Sequence, residues 1–256
     1  MKELEYPFDS DYILKTKKKL RRELLAQDRQ WLCKKIAVLG GSTTSDVIKI
    51  LDLFLLNQGI KVEFYESEYA MFWEDAVFGN EELQKFQPDL IYIHTTNRNI
   101  KKYPNIESSR DEVNTFLEEN YQYYTKAWEQ LERKYHCPII QNNFEFPFYR
   151  LLGNREAYDY RGKVNFIQRM NEKFYEYADT HDNFYIQDIL YLSSCYGLDK
   201  WADEFYWHMY KYAMAVPAIP QLAYNLSNMI KSIWGKNKKA LVLDLDNTLW
   251  GGIVGD

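Results

Sequence analysis

Lys35-Ile36-Ala37-Val38-Leu39-Gly40-Gly41-Ser42-Thr43-Thr44 is an apolar run that breaks on two glycines and a row of hydroxyl side chains. A short apolar run bounded by a turn signal reads as a strand, here Lys35 to Leu39, buried on both faces as in a parallel sheet. Thr44 to Asn57 follows with an amphipathic helical pattern and closes at Gly59. The two glycines permit a tight turn, and the amides after them sit at a helix N-terminus, a ready anion or oxyanion site. The turn fits neither GxGxxG nor GxxxxGK[ST], so neither a dinucleotide site nor a P-loop is supported.

The alternation continues outward from this unit. Strands are expected at Ile60 to Tyr65, Leu90 to His94, Pro138 to Gln141 and Phe184 to Ile186, the last with a helix after it. Helices are expected at Glu81 to Phe86, Ser108 to Tyr135, Val164 to Asp179 and Ile219 to Trp234. Asn142 to Lys163, with Pro147, Gly153 and Gly162, reads as an extended loop. Strands alternating with helices imply parallel pairing and right-handed crossovers. Ahead of them, Tyr12 to Gln27 is a helix pattern with Ser10 as its cap and Ile13, Leu20, Leu24 and Leu25 as an apolar stripe. Its basic run, Lys15 to Arg22, could attract an acidic partner but reads first as a solvated face. The expected organisation is a helical arm over residues 1–33, one three-layer α/β domain over 34–235, and the start of a second unit over 236–256. Ser42, Asn97 and the 199–208 segment are expected to converge on one edge of the first sheet.

Composition bounds the function. The chain has 256 residues, 46% hydrophobic and 27% charged, ordinary for a soluble globular protein. A net charge of −5 argues against a nucleic-acid partner, which favours a basic surface. No apolar stretch is long enough to span a bilayer, and MKELEYPFDSDY lacks the apolar core of a signal peptide. Cys33, Cys137 and Cys195 are far apart and odd in number, so buried free thiols in a reducing cytoplasm are expected. The four histidines have no ligand spacing, against structural zinc. Aromatics reach 17%, with 22 tyrosines. Phe64-Tyr65, Met71-Phe72-Trp73 and Phe205-Tyr206-Trp207 could line a sugar or acyl groove or serve as core and rim packing.

The last part of the sequence carries a chemistry. Lys239 to Leu243 reads as another buried strand, and Asp244-Leu245-Asp246-Asn247-Thr248-Leu249-Trp250-Gly251-Gly252 follows at its carboxyl end. Residues i and i+2 of an extended segment point the same way, so Asp244 and Asp246 can face one crevice. One carboxylate can attack phosphorus and form an aspartyl-phosphate, and the other can protonate the leaving oxygen and then activate water. Paired carboxylates also suit Mg2+, which would offset repulsion from the phosphate.

Asp244-x-Asp246-x-Thr248-Leu249 resembles motif one of the haloacid-dehalogenase-like superfamily, and the stretch through Asp256 resembles its FkbH-like branch (subfamily IIIC). That resemblance implies Asp244 as nucleophile, Asp246 as acid/base, Mg2+ held by Asp244 and the carbonyl of Asp246, and Thr248 orienting the loop. It also implies a haloacid-dehalogenase-like Rossmannoid domain, of which residues 236–256 would be the first strand. The superfamily's later motifs would lie downstream, so this chain alone is expected to show no phosphatase activity. FkbH-like proteins are associated with loading a glyceryl unit from a phosphorylated three-carbon donor onto an acyl carrier protein, and relatives occur in polyketide and surface-polysaccharide pathways.

Gly40-Gly41-Ser42-Thr43-Thr44 resembles block one of the SGNH (GDSL-type) hydrolases, Gly-Asp-Ser-x-Thr, which would put Ser42 at the nucleophile. Ile91 to Arg98 resembles block three, with Asn97 at the oxyanion-hole asparagine. Gly41 and Arg98 replace aspartates of that pattern. The last block, Asp-x-x-His, has only Asp203 and His208 as candidates, and positions five apart on a helix lie about 140° apart around it. An SGNH/flavodoxin-like fold without SGNH-like hydrolysis is therefore expected, with Ser42 read first as the helix N-cap and a Ser42-dependent esterase or acyltransferase as the alternative. Gln141-Asn142-Asn143-Phe144, Leu152-Gly153-Asn154 and Trp201 to Lys211 resemble loops of the FkbH-like N-terminal region.

Overall fold

The computed structural model describes residues 1–237. The expected last strand, Asp244 and Asp246 lie outside the described residues. In chain order the elements are α1 (Ser10–Leu25), β1 (Leu32–Gly40), α2 (Ser45–Asn57), β2 (Ile60–Glu66), α3 (Phe72–Val77), α4 (Glu81–Phe86), β3 (Leu90–His94), α5 (Arg110–Tyr135), β4 (Ile139–Asn142), α6 (Lys163–Thr180), β5 (Phe184–Gln187), α7 (Ile189–Tyr196), α8 (Leu198–Trp201), α9 (Glu204–Tyr210) and α10 (Ile219–Ile233).

The five strands form one sheet in the order β2-β1-β3-β4-β5, and every pairing is parallel. This is the flavodoxin-like doubly wound order, whose switch point lies between β1 and β3. β1 is central in the register: Ile36 faces Phe64 of β2 on one side and Leu90 of β3 on the other. The pleat sends Ile36, Val38, Leu90, Tyr92 and Ile140 to a core under α1, α2 and α10. It sends Ala37, Leu39, Ile91, Ile93 and Ile139 to a second core under α3, α5 and α6. The domain is thus three layers deep, helix–sheet–helix, as the alternation predicts. Among the described residues no helix is long and apolar enough to cross a membrane.

Most aromatics prove to be packing. Trp128 of α5 is buried against Phe174, Phe184 and Tyr177, with ring centroids 4.7, 4.7 and 4.6 Å away. Phe72 stacks on Tyr124 and Trp73 on Tyr123, so the Met71-Phe72-Trp73 cluster belongs to the α3–α5 contact.

Several local expectations are corrected. The cap of α1 is Asp9, whose carboxylate accepts from the Tyr12 amide at 3.0 Å, because an N-cap must stand one residue before the first helical turn. The basic run of α1 is only partly a solvated face: Lys17 reaches Asp46 at 3.0 Å and Arg21 reaches Asp52 at 2.6 Å on α2. The cysteines are free, but Cys33 and Cys195 are exposed and Cys137 is half-buried. Cys33 stands near the start of β1, ahead of the strand's buried Ile36–Gly40 stretch.

Candidate functional site

The carboxyl ends of β1 and β3 open into two turns that hold each other. After β1, the Gly41 amide donates to the His94 carbonyl at 2.9 Å. After β3, Asn99 spans the gap: its Nδ2 donates to the Gly41 carbonyl at 2.9 Å and its Oδ1 accepts from the Thr96 amide at 2.9 Å. A Cβ at Gly41 would lie 2.5 Å from Asn99 Nδ2. The space that a side chain at this position would fill is occupied by the Asn99 amide.

Ser42 follows in this turn and is 2% exposed. It is not the cap of α2, since the N-cap residue is Thr44, whose hydroxyl instead donates to Glu66 Oε1 at 2.7 Å. Ser42 Oγ is buried without a hydrogen-bond partner. His208 stands on α9 with its side chain 71% exposed, and its Nε2 lies 3.4 Å from Glu204 Oε2. No histidine is within hydrogen-bond reach of Ser42, so the serine has no base to activate it. Tyr210 and Lys211, just past the 199–208 segment, nonetheless reach the same edge. The Thr43 amide donates to the Lys211 carbonyl at 3.0 Å and its hydroxyl to the Tyr210 carbonyl at 2.6 Å.

Beneath the turns lies a buried polar layer. His94 Nδ1 is 2.8 Å from the Tyr92 hydroxyl and 3.0 Å from Asn142 Nδ2. The Tyr92 hydroxyl also donates to Asn142 Oδ1 at 3.0 Å, and His94 Nε2 is buried with no partner. Burial pushes the His94 pKa down to about 4 and keeps the ring neutral. Gln141 links Trp128 to Thr95, accepting from the indole at 3.0 Å and donating to the Thr95 hydroxyl at 2.7 Å.

Asn97 and Arg98 form one wall of a cleft of about 480 Å³ beyond the strand ends. Glu145, two residues past Asn143 in the loop after β4, stands opposite. Its Oε2 accepts from the Asn97 amide at 3.3 Å. The preceding residue is pinned: the Phe144 amide and carbonyl bond both ends of the Asn171 amide at 2.8 Å. Glu145 is 4% exposed, and burial pushes its pKa up to about 7 against the pull of backbone amides and Arg98. Arg98 pairs with Glu204 and lies over the Trp207 ring, 4.5 Å from its centroid. That stacking needs the planar guanidinium. Tyr103 donates to the Asn97 carbonyl at 2.7 Å, and Lys163 lies over the Tyr103 ring at 5.0 Å. Phe148, Tyr149 and Leu151 form an exposed apolar rim. Sequence reasoning found Asn97 and Trp207 but missed Glu145. The signal was a lone carboxylate between Phe144 and Phe146-Pro147 just past a strand end.

Among the described residues no group of three or more His, Cys, Asp or Glu is placed to hold a metal. The cleft brings together a cation on an aromatic face, a buried carboxyl near neutrality and an apolar rim.

The model of the family "FkbH, N-terminal domain" matches residues 35–231. The chain belongs to this family. No curated protein matches it in sequence. Among solved structures, the N-terminal part of BF1531 from Bacteroides fragilis, which contains a phosphatase domain and is complexed with Mg, is similar at a TM-score of 0.77 and 22% identity. The match covers 94% of this chain and 62% of that one, so this chain spans less than two thirds of its relative. A GDSL-like lipase from Bacteroides thetaiotaomicron is similar at a TM-score of 0.42 and 14% identity, over 84% of this chain and 97% of that one. In this chain the domain is a five-stranded parallel α/β fold with its cleft beyond the carboxyl ends of β3 and β4.

Proposed function

We propose that residues 34–235 are the recognition module of an FkbH-like phosphatase/acyl (glyceryl) transferase and carry out no hydrolysis themselves. One observation carries this reading: Ser42 Oγ is buried and unpartnered, while the groups that do face a cleft are Arg98, Glu145, Asn97 and Trp207. A serine without a base is a poor nucleophile. A cleft with an aromatic-stacked cation, a buried carboxyl and an apolar rim suits an elongated polar acyl group or the arm that carries it. The partners under this reading are a phosphorylated small-molecule donor and an acyl carrier protein, met in the cytoplasm.

The phosphotransfer chemistry belongs to Asp244 and Asp246, by their resemblance to the superfamily's first motif. Mg2+ would be held there and supply charge neutralisation at the phosphate; these residues lie outside the described residues, and the domain's own role does not pass through the metal. The similarity to the Mg-complexed BF1531 part supports placing such a domain after this one.

The test is Ser42→Ala in the purified chain, assayed on short acyl esters. Hydrolysis should stay at its background level in both proteins. A loss of about 100-fold or more in the variant, the scale of a missing catalytic group, would make this domain an esterase.

A further inference from the structure

Away from the cleft, α1, the first half of α2 and strand β2 enclose a groove of about 320 Å³. Its floor is apolar: Ile48 of α2 and Val62 and Phe64 of β2, all only half-buried. β2 is an edge strand, and the two helices do not fully cover its face. Its walls are cationic, with Lys17, Lys18 and Arg21 on α1 and Lys49 on α2. Two carboxylates answer these four cations. Asp46 takes Lys17 at 3.0 Å and Lys49 at 3.3 Å, and Asp52 takes Arg21 at 2.6 Å. Lys18 is exposed and makes no ion pair among the described residues. The groove therefore keeps an excess of positive charge on a chain whose net charge is −5.

We propose that this groove docks an acidic amphipathic helix of a protein partner. Apolar anchors at i, i+3, i+4 and i+7 of such a helix would fill the recess over Val62 and Phe64, while its flanking carboxylates meet the cationic walls. The recess itself selects this occupant. A bilayer surface offers no ridge to enter a groove, and a nucleic acid offers phosphate but nothing for an apolar floor. The inference stands apart from the ligand of the cleft, although the two places are joined. Tyr212 donates to Asp46 Oδ2 at 2.6 Å at one end of the groove, and the next residue, Ala213, lines the cleft.

The experiment titrates the whole chain into a fluorescein-labelled peptide of about 18 residues, long enough to form a helix on binding, with Leu at the four anchor spacings and Glu on its flanks. Anisotropy should report binding that weakens with added salt and falls about tenfold or more in Lys18→Glu/Lys49→Glu, both exposed positions whose reversal adds repulsion to lost attraction. Val62→Ser should weaken it at unchanged salt dependence, with circular dichroism confirming the fold. The absence of peptide binding, or binding indifferent to Lys18 and Lys49, overturns the proposal. So does binding of phosphatidylserine vesicles or duplex DNA with that same dependence where the peptide fails, because the groove is then a general anion face.

Discussion

Glu145 is the residue whose chemistry the fold changes most. Its carboxyl would lose its proton near 4.5 in the unfolded chain and does so at about 7 in the folded one, chiefly because burial disfavours the charge. The folded state then holds the proton more tightly than the unfolded state. Its contribution to stability is complete below about 4.5 and is lost as pH rises through about 7. Glu145→Gln keeps the shape and an oxygen acceptor for the Asn97 amide but never ionises. The variant should match the wild type near pH 4.5 and exceed it at pH 8, by at most about 3 kcal/mol if the whole shift is realised. Urea midpoints across that range measure the gap, and a gap that does not change with pH would remove the buried-carboxyl account. Arg98 illustrates the same scale from the other side. In sequence it only spoiled an SGNH pattern; in space it stacks on Trp207 and pairs with Glu204, a contact that joins residues far apart along the chain and has no sequence signature.

At the scale of elements, the pattern sufficed where the element was long, buried on both faces or marked by a side-chain cap. Glu81 to Phe86 and Leu90 to His94 fall where the pattern puts them, because each is bounded by its own cap or turn. The helix Phe72–Val77 was not legible: it lacks the side-chain cap that Asn80 gives the equally short Glu81–Phe86, and its Phe72 and Trp73 look like a groove until α5 supplies Tyr123 and Tyr124 as stacking partners. β1 begins at Leu32 rather than Lys35, since Lys34 and Lys35 pair along β2 while their ammonium groups reach Asp89 and the Phe86 carbonyl. The α1–α2 contact was equally hidden in a run of basic residues. Asp52 is 6% exposed and is answered by Arg21 across the helix pair. Its pKa is raised by burial despite that partner. Arg21→Ala leaves the carboxylate buried and unpaired. Removing one member of a fully buried pair costs about 3–5 kcal/mol, but Arg21 is 54% exposed, so a loss of about 1–2 kcal/mol is expected. Adding Asp52→Asn should recover part of it in denaturant unfolding. Full additivity of the two substitutions would mean that the pair does not couple α1 to the domain.

At the scale of the whole molecule, the cleft and the described end of the chain lie at opposite edges of the sheet. The cleft opens at the carboxyl edge of the sheet, around the ends of β3 and β4. The chain leaves α10 at the opposite edge, where the Trp234 ring lies 5.7 Å from the ammonium of Lys34 near the start of β1. A phosphotransfer site of the kind Asp244 and Asp246 resemble needs further groups to fix Mg2+, which gives up its water reluctantly, and a cation to neutralise the aspartyl-phosphate. Residues 1–256 should accordingly release no phosphate from a small phosphomonoester or acyl phosphate. A version extended through the downstream motifs should bind Mg2+ and release it, and Asp244→Asn in that version should abolish release while leaving the cleft and its ligand binding intact. Assaying the two lengths side by side decides the matter. Robust turnover by residues 1–256 would show the site to be complete already, and turnover by the extended Asp244→Asn variant would take the nucleophile's role away from Asp244.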